Sequence, residues 1–133
     1  MPVKTKRVYD KFQKSDGMRI LVDRLWPRGV SKRAAHLDEW LREVGPSNAL
    51  RIWFGHKPER WKAFEARYRR ELRTPERQRA LKELKHLASK QMVTLLFGAR
   101  DMEHNNAVVI GRLLGKTAPH GESIRETSTR QRR

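Results

Sequence analysis

Three short apolar runs, set apart by long stretches of a different period, organise this chain. Val3 to Tyr9 alternates in character, Met18 to Leu25 carries Ile20-Leu21-Val22, and Val93 to Phe97 is nearly continuous up to Gly98. Alternation suits a half-buried strand, and a continuous run of this length suits a strand covered on both faces. Asp16-Gly17 supplies a turn signal between the first two. Between the second and third runs the spacing becomes helical. Ser31 is placed to cap a helical region in which Leu37, Trp40, Leu41 and Val44 recur at helix spacing until Gly45-Pro46 stops it. Ser47 can then cap a short helix carrying Leu50, Trp53 and Phe54, and Pro58 suits a first helical turn. Trp61, Phe64, Tyr68 and Leu72 form one stripe ended by Thr74-Pro75. Leu81, Leu84 and Leu87 form another that ends near Ser89. A last helix is expected from Asp101 to Leu114, with Asp101 as its cap and Val108, Val109, Leu113 and Leu114 on its buried face.

Strands alternating with helical stretches predict a single α/β domain, a small mainly parallel sheet flanked by helices. Its expected extent is residues 1–115. Residues 116–133 hold almost no large apolar side chains, so they cannot offset their ordering entropy by burial and read as a mobile basic tail. At 133 residues the chain has room for one domain with a real core. It contains no cysteine, which removes disulfides, thiolate metal sites and cysteine nucleophiles and fits a reducing cytoplasm. The basic N-terminus is followed by no apolar segment, so it does not read as a secretory signal. The run from Met92 to Ala99 is far short of the ~20 residues that a membrane helix needs. A cytoplasmic protein without membrane association is therefore expected.

The net charge of +16 divides into +3 after residue 115 and +13 before it. A surface this basic attracts polyanions, which makes nucleic acid a candidate partner, with Arg67, Arg69, Arg70, Arg73, Arg77, Arg79, Lys82 and Lys85 on the long helices as its candidate contacts. The alternative is an ordinary solvated face rich in arginine. No DNA-reading motif decides between them.

The densest chemistry follows the second apolar run, in Asp23-Arg24-Leu25-Trp26-Pro27-Arg28-Gly29. Ligands of open parallel α/β sheets bind beyond the carboxyl ends of the strands. If the second and third runs are parallel neighbours, the loops after Val22 and Phe97 line one crevice. That crevice would collect Asp23, Arg24, Trp26, Arg28, Arg100, Asp101, His104 and Asn105. Arg24, Arg28 and Arg100 are suited to clamp a phosphate or carboxylate, Trp26 to stack on a ring, and the last helix to offer its positive end. His104, beside Asp101, could serve as a general acid or base with Asp101 or Asp23, or could simply cover the helix end. Asp23 has a sober alternative role, pairing with an arginine to organise the loop. His56, after Trp53-Phe54-Gly55, either joins the site or caps a helix stop. A metal held by His56, His104 and a carboxylate has no compact ligand spacing behind it, and neither a Gly-rich phosphate loop nor a serine elbow is present. No cofactor is indicated. The expected ligand is a phosphate- or carboxylate-bearing small molecule, a nucleotide among them.

Lys6-Arg7-Val8-Tyr9, Gly17 to Gly29 (GMRILVDRLWPRG), Leu37-Asp38-Glu39-Trp40-Leu41, Trp53-Phe54-Gly55-His56, Arg60-Trp61 and Thr94 to Asn106 (TLLFGARDMEHNN) together resemble the YeaO-like branch of the family catalogued as domain of unknown function 488. The resemblance runs nearly to Leu114. It implies a small cytoplasmic bacterial α/β protein of undetermined activity. Members of that family often carry cysteines around the second loop, with a Cys-His-Arg-like ending. This chain has Phe97 and Asn105-Asn106 there, so a thiol-dependent role does not transfer to it.

Overall fold

The computed structural model describes residues 3–115 and the backbone of Thr117–Ala118. Strands β1 (Val3–Arg7), β2 (Met18–Leu21), β3 (Glu39–Trp40), β4 (Val93–Phe97) and β5 (Thr117–Ala118) form one sheet in the order β3-β2-β4-β1-β5. Every adjacent pair is parallel. The helices are α1 (Lys32–Ala35), α2 (Asn48–Phe54), α3 (Trp61–Glu71), α4 (Pro75–Lys90) and α5 (Asn106–Leu114). This is a single α/β domain, and β4 at its centre is buried along its whole length.

The pleat sorts the strand residues into two cores. Val3, Ile20, Val22, Val93, Leu95 and Phe97 face the larger one, closed by Leu50, Phe54, Phe64, Tyr68, Leu72, Leu84 and the α5 residues Val109, Ile110 and Leu114. Val8, Leu21 and Leu96 face a smaller one, closed by Ala35 with Trp26, Val30, Leu37 and Trp40. Helices thus cover one face of the sheet, while α1 and the surrounding loops cover the other. Arg19, on the smaller-core side, is 1% exposed. Its guanidinium donates to the Asp16 carboxylate and to the carbonyls of Ala35 and His36. Asp16 also accepts from Lys6 Nζ and from the Gln13 N–H. A buried charge held by this many partners ties the turn before β2 to the end of α1.

The structure corrects three of the predicted elements. The first strand stops at Arg7 rather than running to Tyr9, while the second, Met18–Leu21, releases its loop after Val22 as expected. The stretch from Leu37 to Leu41 is not helical and Arg42–Val44 makes only a 3-10 turn, because His36 takes a left-handed conformation (φ 48°) that ends α1 after one turn. The Asp38 and Leu41 N–H groups then donate to the carbonyls of Arg19 and Leu21, which draws Glu39–Trp40 into the sheet as β3. The last helix begins at Asn106, not Asp101, and its cap is Asn105, whose Oδ1 accepts from the Val108 N–H at 3.0 Å. The tail expected at 116–133 lies outside the described residues, apart from Thr117–Ala118 pairing with β1. Among the described residues, no helix is long and apolar enough to cross a membrane.

Candidate functional site

Leu21 and Leu96 are register partners, so β2 and β4 release their loops at the same end of the sheet. Two cross-links stitch those loops together. Asp23 Oδ2 accepts from the Gly98 N–H at 2.9 Å, and Asn106 Nδ2 donates to the Val22 carbonyl at 2.9 Å. Trp40 Nε1 adds a third tie, donating to the Asp23 carbonyl at 2.7 Å. Gly45 brings the chain before α2 against the same loop. A Cβ there would lie 2.5 Å from the Arg24 nitrogen, so no larger residue fits without moving the Arg24 backbone.

Over these loops opens a cavity of about 410 Å³, within the ~300–1,000 Å³ usual for small-molecule sites. Asp23, Arg24, Trp26, Arg28, His56, His104 and Asn105 all line it. Arg100 and Asp101 do not. Arg100 is exposed, and Asp101 stands behind His104. Tyr9, Arg51, Asn106 and an apolar wall of Phe54 and Phe64 line the cavity as well, none of them expected there from the sequence. Tyr9 and Asn106 sit inside two of the segments that carry the family resemblance, whereas Arg51 has only its place on α2, three residues before Phe54, to mark it.

The guanidinium groups of Arg24, Arg28 and Arg51 have no carboxylate within 4.0 Å among the described residues. Arg51 has one long contact, 3.5 Å to Asn48 Oδ1. The aromatic wall is fixed in place. Trp26 Nε1 donates to the Val30 carbonyl at 2.6 Å and its ring meets Trp40 edge-on at 5.3 Å. Tyr9 donates its hydroxyl to the Arg28 carbonyl at 2.7 Å and holds the loop's far end.

Asp23 is the half-buried carboxylate of the site, and it has no cation within salt-bridge distance among the described residues. Burial raises its pKa above the ordinary carboxylate value, against the opposing pull of the Gly98 N–H, the Asn106 side chain and the charges of Arg51 and His56. Its role as a pairing partner for Arg24, Arg28 or Arg100 is not what the structure shows, since a backbone N–H and an amide hold it instead. Asp101 differs. Slight burial raises its pKa, but hydrogen bonds from the His104 ring and from the Glu103 and His104 N–H groups outweigh that and hold the carboxyl below its usual range. Asp101 Oδ2 lies 2.8 Å from His104 Nδ1, which assigns the ring proton to Nδ1 and leaves Nε2 as the free nitrogen. The His104 ring also packs edge-on against Trp61 at 5.1 Å. His56, left-handed at φ 57°, follows the left-handed Gly55 that closes α2 and stands exposed at the cavity rim. Among the described residues, no group of three or more His, Cys, Asp or Glu could hold a metal ion.

The profile described as the inactive DUF488-N3 subclade matches residues 2–130. The uncharacterised protein YeaO of Escherichia coli K12 is 44% identical over 110 residues, 83% of this chain and 94% of its own. An uncharacterised protein of Mycobacterium tuberculosis H37Rv is 38% identical over 112 residues, 84% of this chain and 92% of its own. A Mycobacterium bovis protein, also uncharacterised, matches at the same 38% over 112 residues. No solved structure matches.

Proposed function

The chain belongs to the DUF488 family, in the subclade described as inactive, and we propose that it is a binding protein whose strand-end crevice takes a small molecule bearing phosphate or carboxylate, a nucleotide among them. One observation carries this reading: three guanidinium groups, Arg24, Arg28 and Arg51, line one concave site without a carboxylate partner among the described residues. A guanidinium fork left unpaired in a cavity is suited to a planar or tetrahedral oxyanion. Asn105 and Asn106, at the start of α5, line the same place, and Trp26 offers a flat wall for a ring attached to the anion.

The description of the subclade favours holding over turnover, and the candidate acid–base groups fit that role. Asp23 is engaged in the loop cross-link and Asp101 in orienting His104, whose free nitrogen then serves as a hydrogen-bonding partner for the ligand. Thermal unfolding with inorganic phosphate, nucleoside monophosphates and dicarboxylates tests the proposal. A ligand at a hundred times its Kd stabilises the folded state by about 2.7 kcal/mol, a rise in midpoint of roughly 10 °C for a domain of this size. Arg24→Gln, Arg28→Gln and Arg51→Gln combined should abolish that rise. No rise with any of these ligands, or the same rise in the triple variant, would remove the crevice as a ligand site. Steady consumption of a bound ligand would show that His104 and Asp101 do chemistry as well.

A further inference from the structure

The cations of the two long helices fall into two classes. Arg69 pairs with Glu65, and Arg77 lies half-buried with Nη1 on Thr74 Oγ1. Arg67, Arg70 and Arg73 on and just after α3, and Arg79, Lys82 and Lys85 on α4, are all exposed and have no carboxylate within 4.0 Å among the described residues. Each trio repeats at every third residue, so each forms a stripe along one side of its helix spanning about 9 Å. Both helices bury their apolar sides in the same core, through Phe64, Tyr68 and Leu72 and through Ala80, Leu84 and Ala88, which turns both stripes outward.

The carboxylates nearby are engaged elsewhere. Glu65 is shared by Arg69 and Arg112, Glu71 accepts from Ser47, and Glu83 faces Glu39. Glu76, in the first turn of α4, offsets one charge at most. The exposed large apolar residues, Tyr9, Phe12, Leu25, Ile52 and Met102, all lie off α3 and α4. A protein partner would find no apolar centre to bury on these faces, and the ring beside them, Trp53, is already covered by the Arg67 and Arg60 guanidiniums at 4.1 and 5.0 Å rather than open for an unpaired strand to stack on. The partner that such a surface fits is a regular, dense line of negative charge.

We propose that the outer faces of α3 and α4 bind the phosphate backbone of a nucleic-acid duplex, independently of sequence and of the crevice. Each phosphate neutralised on duplex DNA contributes about −0.9 to the log–log slope of affinity against salt. Six contacts give a slope near −5. The test is fluorescence anisotropy of a labelled 20-base-pair duplex with the full chain across ~50–200 mM salt. Arg67→Gln, Arg70→Gln and Arg73→Gln together should flatten the slope by roughly three and leave the circular dichroism spectrum unchanged. Arg79→Gln, Lys82→Gln and Lys85→Gln should do the same from the other stripe, and stand in if the first variant fails to fold. Arg28→Gln should leave the slope as it was, so that a failed crevice and a failed helix surface are told apart. No binding at 50 mM salt by folded protein, an unchanged slope in the stripe variants, or equally tight binding of polyglutamate would each overturn the assignment.

Discussion

Replacing Asp23 separates its two properties, the cross-link it makes and the charge it partly buries. Asp23→Ala removes the acceptor of the Gly98 N–H, which then lies part-buried without a partner, while Asn106 keeps its bond to the Val22 carbonyl. One orphaned backbone donor costs about 1–3 kcal/mol, a midpoint lowered by roughly 4–12 °C in a domain of this size. Asp23→Asn keeps an oxygen for Gly98 and removes the half-buried charge. Because burial raises the folded pKa of Asp23 above its unfolded value, the wild type gains from protonation below about pH 4 and loses that gain as pH rises through the folded value. The asparagine variant lacks this dependence, so its stability relative to wild type should rise between about pH 4 and neutrality. Urea unfolding of the three proteins at both pH values, with hydrogen exchange at the Gly98 amide, reads the two effects separately. If Asp23→Ala is as stable as Asp23→Asn at pH 7, or the Gly98 amide exchanges no faster in it, Asp23 does not hold the two loops together.

Arg19→Met should cost about 3–5 kcal/mol in urea unfolding, because Asp16 stays buried with its fully buried ion partner gone; a loss under 1 kcal/mol would mean that Lys6 and the Gln13 N–H suffice. Asp16 and Asp101 both have folded pKa values below the ordinary carboxylate range, Asp16 because hydrogen bonds from Gln13, Lys6 and Arg19 outweigh the upward push of burial. Their stabilisation is present above about pH 4 and is lost as pH falls through their lower folded values, so stability measured from pH 6 to pH 2 should decline mainly below pH 4, and less steeply in Asp101→Asn. Gly45→Ala should force the Arg24 backbone aside, costing about 1–3 kcal/mol and any ligand-induced rise in unfolding temperature; full retention of both would mean that the cavity tolerates a displaced loop.

The strands were legible where burial is two-sided, as in Val93 to Phe97, since only a central strand makes such a run necessary. Ser47 and Pro58 marked starts of helical turns, and Thr74-Pro75 the end of the stripe on α3, because capping and ring geometry are local. The segment from Leu37 to Val44 misled because its apolar spacing fits a helix equally well, while β3 exists through hydrogen bonds to Arg19 and Leu21, a tertiary cause with no local sign. Asp101 looked like a helix cap because it does accept N–H groups two and three residues on, but those belong to a turn, and the cap falls to Asn105. Arg19 went unremarked within its segment, since nothing in its neighbours announces that Asp16, Ala35 and His36 enclose it. Most of the crevice was readable from one rule, that parallel strands deliver their loops to one end. Arg51 was not, because it reaches the cavity from α2 rather than from either loop.

The most direct measurement of the proposed function is a crystal grown in sulfate or phosphate and examined for where the anion sits. Tetrahedral density is expected in the cavity over β2 and β4, in contact with at least two of Arg24, Arg28 and Arg51 and lost in Arg24→Gln/Arg28→Gln/Arg51→Gln crystals of the same form. A cavity holding only water at high anion concentration, with the anion elsewhere or absent, would contradict it.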